Sequence, residues 1–279
     1  MVKNILFPVD FSTSCIAMAA YVKRAGEIFG AEVSLVHVCD LSSHNGFELY
    51  ARTSEEIAED RWNVAKTKLE FFLKSVFPPA RCRRILLTGD AGAGIAEAAR
   101  ASKCDLIMMP THAGRFRRML LGSTTAKVLE HADCPVLTTQ HAATAAPRSL
   151  EHRKWICAIE LGSDSERVLR YAKEASLEAG AKLTVIHAVQ TDKTTSEPEK
   201  AEKEKRARNQ IAELKRKVAS EASVQIAVGP VKESLVAAAQ ESSADVLVIG
   251  RSMHDGSLGR MQELIYTLIR DSPCPVVSV

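Results

Sequence analysis

Short, nearly unbroken apolar runs alternate along the first half of the chain with longer stretches in which apolar and polar residues recur at helical spacing. The runs lie at residues 5–9, 33–39, 85–87, 105–109 and 135–138. Strands buried on both faces need continuous rather than alternating apolarity, so these runs predict the interior of a parallel sheet. Between them, Ser12 or Ser14 is placed to cap a helix reaching about Gly30. A periodic stretch over about 52–76 predicts a second helix, stopped by Pro78 and Pro79. Strand and helix in alternation imply right-handed crossovers with helices on both faces, a doubly wound α/β domain.

The second half repeats this pattern. KNILFPVDFSTS (3–14) aligns with RKWICAIELGSD (153–164), which sets Asp10 opposite Glu160. AEVSLVHVCD (31–40) aligns with AKLTVIHAVQ (181–190), which sets His37 opposite His187. Farther on, GIAEAARASKCDLIMMPTH matches SLVAAAQESSADVLVIGRS, and HADCPVLTT matches DSPCPVVSV, pairing Asp105 with Asp245 and Cys134 with Cys274. Self-similarity of this extent marks a duplication. It predicts domains at 1–142 and 152–279, with AATAAPRSLEH as the linker.

At 279 residues, each copy is long enough to bury its own core, and 46% apolar with 25% charged residues is the balance of an ordered globular chain. A formal charge of +3 with scattered basic residues gives no electrostatic footprint for nucleic acid. No apolar run approaches the roughly 20 residues of a membrane helix, and MVKNILFPVDF lacks a signal-peptide layout, so a cytoplasmic location is expected. Seven cysteines without a CxxC pair read as mostly buried, reduced thiols, and no ligand spacing points to a metal.

In an open α/β sheet, ligands sit beyond the carboxyl ends of the strands where the strand order reverses. That rule singles out the loops PVDFSTS, HVCD, TGDAGAG and MPTHAGRFRRMLLGSTTAK. In the last, Gly122, Ser123 and Thr124 stand where loop becomes helix, so free amides and two hydroxyls suit a phosphate, with Arg115, Arg117 and Arg118 nearby. The plain structural alternative is a helix cap at Ser123 or Thr124 and a turn at Gly122. His37 and His187 read as structural, and Cys134 and Cys274 as packing ahead of the final strand. Asp90 reads as a helix cap before a ribose ligand, and SEPEKAEKEKRARNQIAELKRK as a solvated helix. His112 fits a ligand contact or an exposed loop position equally.

ILFPVDFSTS, SLVHV, CDLIMMPTHAGR and LLGSTTAKVLEHADCPVL in the first half, with LTVIHAV, ADVLVIGRS and SPCPVVSV in the second, resemble the universal stress protein family over nearly the whole chain. The resemblance implies two adenine nucleotide alpha hydrolase-like domains with five-stranded sheets of order 3-2-1-4-5, paired as a pseudo-dimer through the last strand. It also implies a role in stress survival and frequent ATP binding. Nucleotide-binding members carry G-x-x-G, nine residues, then G-[ST], beside an aspartate after the first strand. Carried over, Pro8, Val9 and Asp10 meet the adenine and ribose end and the Val38 backbone reads the adenine edge. Met109, Pro110, Thr111, His112, Gly114 and Arg115 then form the loop, while Gly122, Ser123 and Thr124 hold phosphate. Pro110 and Ala113 stand at the first two glycine positions, and proline brings no amide donor. In the second half Glu160 replaces the aspartate and Gln262 with Glu263 replaces Gly-Ser, where a carboxylate repels phosphate.

The expectation is a tandem stress-response protein whose first domain binds ATP, with or without magnesium, with little or no hydrolysis and no catalytic residue. The second domain is a degenerate copy and the assembly a homodimer or a monomeric pseudo-dimer, with the protein partner left open. The alternative is a nucleotide-free interaction scaffold, or a binder of another small ligand. The loops SGGxDS or HIGH expected of adenylate-forming and nucleotidyl-transferring enzymes on related folds are missing after the first strand.

Overall fold

A computed structural model describes residues 2–41, 53–111, 121–139, 151–191, 195–251 and 258–279, with side chains in the last stretch from 263 onward. The chain divides into two compact units, 2–136 and 137–279. In the first half, β1 (Asn4–Pro8), α1 (Thr13–Phe29), β2 (Glu32–Cys39), α2 (Ser54–Phe71) and β3 (Arg83–Thr88) are followed by α3 (Ala91–Ala101), β4 (Leu106–Pro110), α4 (Ser123–His131) and β5 (Val136–Thr139). The strand order is β3-β2-β1-β4-β5, with β1 parallel to both β2 and β4, and β2 parallel to β3.

The second half repeats it with β6 (Lys154–Ala158), α5 (Ser165–Glu178), β7 (Lys182–Val189), α6 (Glu197–Lys217), β8 (Ser223–Val228), α7 (Val231–Glu241), β9 (Val246–Ile249), α8 (Leu258–Asp271) and β10 (Val276–Ser278). Its order is β8-β7-β6-β9-β10, again parallel. Both halves are therefore α/β domains with the 3-2-1-4-5 order expected from the sequence. The unbroken apolarity of the central strands has its reason here: Ile5, Leu6, Phe7, Leu106, Ile107 and Met108 are buried between helical layers, as are Ile156, Cys157, Leu247 and Val248.

The aspartates matched by the repeat turn out to be clasps. Asp105 Oδ2, just ahead of β4, accepts the amides of Lys3 and Asn4 at 2.8 and 2.9 Å, fastening the start of β1. Asp245 Oδ2 does the same for Arg153 and Lys154, both at 2.8 Å. Capping follows the local rules. Ser12 caps α1 by accepting the Cys15 amide, and Thr53 with Glu56 forms a reciprocal capping box on α2.

One boundary differs from expectation. Helix α2 ends at Phe71, ahead of residue 76, so the two prolines lie beyond a helix that has already stopped. Leu73 takes φ 51°, and the Arg84 guanidinium collects the carbonyls of Leu69, Phe72 and Phe77 at 2.6, 3.0 and 2.9 Å. A charged fork that satisfies three main-chain acceptors replaces the helical bonds that another turn would have made.

Candidate functional site

The site of the first half begins with a tight turn after β1. Phe11 has φ 64° and Leu161, its counterpart in the second half, φ 62°, a left-handed conformation that side-chain-bearing residues seldom adopt. Such strain persists where surrounding contacts fix it. Here the Phe11 ring lies 4.3 Å from the His37 imidazole and 5.2 Å, edge-on, from Phe72. The turn directs the Asp10 carboxylate back over the helix start, where Oδ1 accepts the Ser12 amide at 2.9 Å and the Cys15 thiol at 3.1 Å.

His37, at the carboxyl end of β2, donates from Nδ1 to the Val9 carbonyl at 2.7 Å, and His187 donates likewise to Ile159 at 2.8 Å. A carbonyl only accepts, so the proton sits on Nδ1 and each ring ties strand ends together. This is the structural role expected of both histidines. Cys15 is buried against this corner; burial first, then the Asp10 charge, pushes its thiol up to about 12, so it is a packing group rather than a nucleophile. Burial likewise lifts Cys157 to about 12 and Cys274 to about 11.

On the other side of the cleft, α4 opens with Gly122 at its N-cap and no side chain capping it. Neither Ser123 nor Thr124 caps the helix, and Gly122 is where chains approach closely: its amide reaches the Thr111 carbonyl at 3.2 Å, and a Cβ there would lie 3.0 Å from that same oxygen. The amides of Ser123 and Thr124 fall in the first helical turn, where no intrahelical acceptor exists. Asp90 caps α3 by accepting the Ala93 amide at 3.0 Å, and its hydrogen bond from Lys127 holds the carboxyl below the usual range. The cap role expected of Asp90 is the one observed.

Pro8, Val9, Asp10, Val38, Met109, Pro110, Thr111, Gly122, Ser123 and Thr124 all line one cleft of about 240 Å³ at the carboxyl ends of β1, β2 and β4. His112, Gly114 and Arg115 lie outside the described residues. His37, Cys15, Val36, Ala91, Ile95 and Thr125 complete the wall; Ala91 falls in the loop TGDAGAG, and none of the six was singled out as a ligand contact from the sequence. Ala91 and Ile95, one helical turn apart on α3, carried the signal in their spacing. Among the described residues no group of His, Cys, Asp and Glu is arranged to hold a metal ion.

The second half has its own cleft of about 460 Å³ at the matching strand ends. Glu160, Leu161, His187, Ile249 and Gly250 line it, with Leu264 and Ile265 from α8.

Residues 1–140 and 151–279 each match the Universal stress protein family. A universal stress protein of Methanocaldococcus jannaschii is 31% identical over 144 residues, covering 50% of this chain and 82% of that protein. One from Thermus aquaticus is 33% identical over 142 residues, covering 49% and 98%. Among solved structures, a universal stress protein from Archaeoglobus fulgidus aligns with a TM-score of 0.68 at 22% identity over 99% of this chain and 97% of that one, a likeness of fold.

Proposed function

This chain belongs to the universal stress protein family, a stress-response family, and from that premise we propose that its first half binds an adenine nucleotide and that the protein acts by binding rather than by turnover. The observation that carries the reading is convergence. Residues 8–10, 38, 109–111 and 122–124, drawn from four separate elements, meet in one cleft at the switch point of the sheet. The first turn of α4 presents the Ser123 and Thr124 amides and hydroxyls together with the positive end of the helix, which suits phosphate. The cradle beside Gly122 is one that a Cβ would crowd, the kind of close approach a phosphate-binding turn needs.

In this reading Val38 main chain meets the base and Asp10 the ribose, while Thr111, Ser123 and Thr124 face the phosphates, with or without magnesium. When bound, the nucleotide supplies the charge that the α4 terminus stabilises. Little hydrolysis is expected: Asp10 and His37, the cleft's described carboxylate and imidazole, are both engaged in main-chain hydrogen bonds. A cytoplasmic homodimer belongs to the same reading, and among the described residues no helix is long and apolar enough to cross a membrane.

The experiment is to denature protein purified without added nucleotide, identify what is released by mass spectrometry, and titrate ATP with magnesium into wild type and Gly122→Glu by calorimetry. Saturable binding lost in the variant supports the site. Equal binding by the variant, or none by wild type, overturns it and favours the nucleotide-free alternative.

A further inference from the structure

The second cleft has a different chemistry from the first, and we propose that it binds a small apolar molecule with a hydrogen-bond-donating, non-anionic head, of the class of aromatic or alkyl amines. The inference is independent of nucleotide binding in the first half. It starts from volume. Protein interiors are close-packed, and about 460 Å³ of space against about 240 Å³ in the sister cleft lies in the range of small-molecule sites.

Matched residues of the two copies explain where the space and the character come from. Ala188 and Gly250 stand where the first half has Val38 and Pro110, so two walls draw back. Gly250 matters particularly, because a Cβ there would lie 3.1 Å from Val168 Cγ2. Val168, in place of Met18, itself lines the cleft. Meanwhile Leu264 and Ile265 take the places of Thr124 and Thr125, turning the hydroxyl side of the cleft into hydrocarbon, and Val231 and Leu235 continue that wall.

The polar end selects against anions. Glu160 and Asp164 line it, and no lysine or arginine does so among the described residues. Arg167 reaches Asp164 at 2.7 Å, which leaves that carboxylate neutralised at the rim. Gln262 and Glu263 occupy the sequence positions of the Gly122-Ser123 cradle. His187 donates from Nδ1 to Ile159, so its Nε2 is left as an acceptor, and Glu160 adds negative charge at the same mouth. An acceptor-lined mouth above an aliphatic interior calls for a donor head on an apolar body.

N-Phenyl-1-naphthylamine, an uncharged aromatic amine that fluoresces on leaving water, is the probe to titrate into the full chain. Saturable binding at one site per chain is expected. Val231→Trp and Leu264→Trp, at half-buried positions on the cleft wall, should each weaken it at least tenfold, whereas Ala91→Trp in the first cleft should leave it unchanged. Saturating ATP should not displace the probe, and 1-naphthyl phosphate should bind at least tenfold more weakly. Circular dichroism identifies a tryptophan variant that fails to fold, in which case the other decides. The proposal is overturned by non-saturable binding, by binding that survives both second-half substitutions, or by binding lost in Ala91→Trp or to ATP.

Discussion

Replacing Asp245 with alanine should destabilise the second half by about 3 kcal/mol, and replacing Asp105 should cost the first half only about 1–2 kcal/mol. Both carboxylates accept two strand-opening amides through one oxygen. A hydrogen bond to a charged group contributes about 1.5–3 kcal/mol, and two that share an acceptor fall short of the sum. The copies differ in burial. Asp245 is 4% exposed and both of the bonds it accepts are partly buried, whereas Asp105 is less buried and its bond from Lys3 lies at the surface, where water can take the vacated place. A loss of about 3 kcal/mol lowers the ratio of folded to unfolded protein by roughly a hundredfold. The chain holds two tryptophans, Trp62 in α2 and Trp155 in β6, so urea unfolding followed by fluorescence in a Trp62→Phe background reports on the second half beside the clasp. Asp245→Asn, which retains an acceptor oxygen, should recover most of the loss. Equal destabilisation by Asp105→Ala and Asp245→Ala, or an asparagine variant as unstable as the alanine one, would refute the reasoning.

Arg84→Met removes the donor to three carbonyls and should lower the first half's stability by about 3 kcal/mol, with faster proteolysis across residues 72–82; full rescue by Arg84→Lys would argue against a role for the guanidinium fork. Asp271 supplies a pH test. Its hydrogen bond from Arg270, aided by Lys232 and opposed by burial, holds the carboxyl down to about 2. Because that is below the unfolded value of about 3.9, the contribution is complete above roughly pH 5 and is lost as pH falls through 4 towards about 2. Asp271→Asn should flatten acid unfolding of the second half in that window, and an unchanged acid limb would disprove it.

The sheet was legible in the sequence because strands buried on both faces leave continuous apolar runs, and the duplication supplied each of them twice. The first-half cleft was legible where its residues sit at strand ends and at the Gly-Ser-Thr of α4. Its remaining wall was not: Ala91 and Ile95 look like any apolar pair on a helix until β2 and α4 come to lie beside them. The early end of α2 was hidden for a similar reason. The group that ends it, Arg84, lies on β3, well past the prolines that seemed to do so. In the second half the sequence reported a missing cradle. That Ala188 and Gly250 draw back two walls of a cavity lined by Leu264 and Ile265 depends on which side chains face inward together, a property of packing rather than of any one position.

The clasp also dictates a timetable during synthesis. The amides at the start of β1 find their acceptor 101 and 102 residues downstream, and β4, which flanks β1 on its second side, begins at Leu106. At ribosomal rates of roughly 5–20 residues per second, β1 waits about 5–20 s after it is made before that partner strand and the clasp exist. For that interval Ile5, Leu6 and Phe7, which end at the centre of the sheet, are sticky nascent chain. Until Asp105 has emerged from the exit tunnel, those three side chains lack both the neighbour on their second side and the bonds that fasten the strand's start.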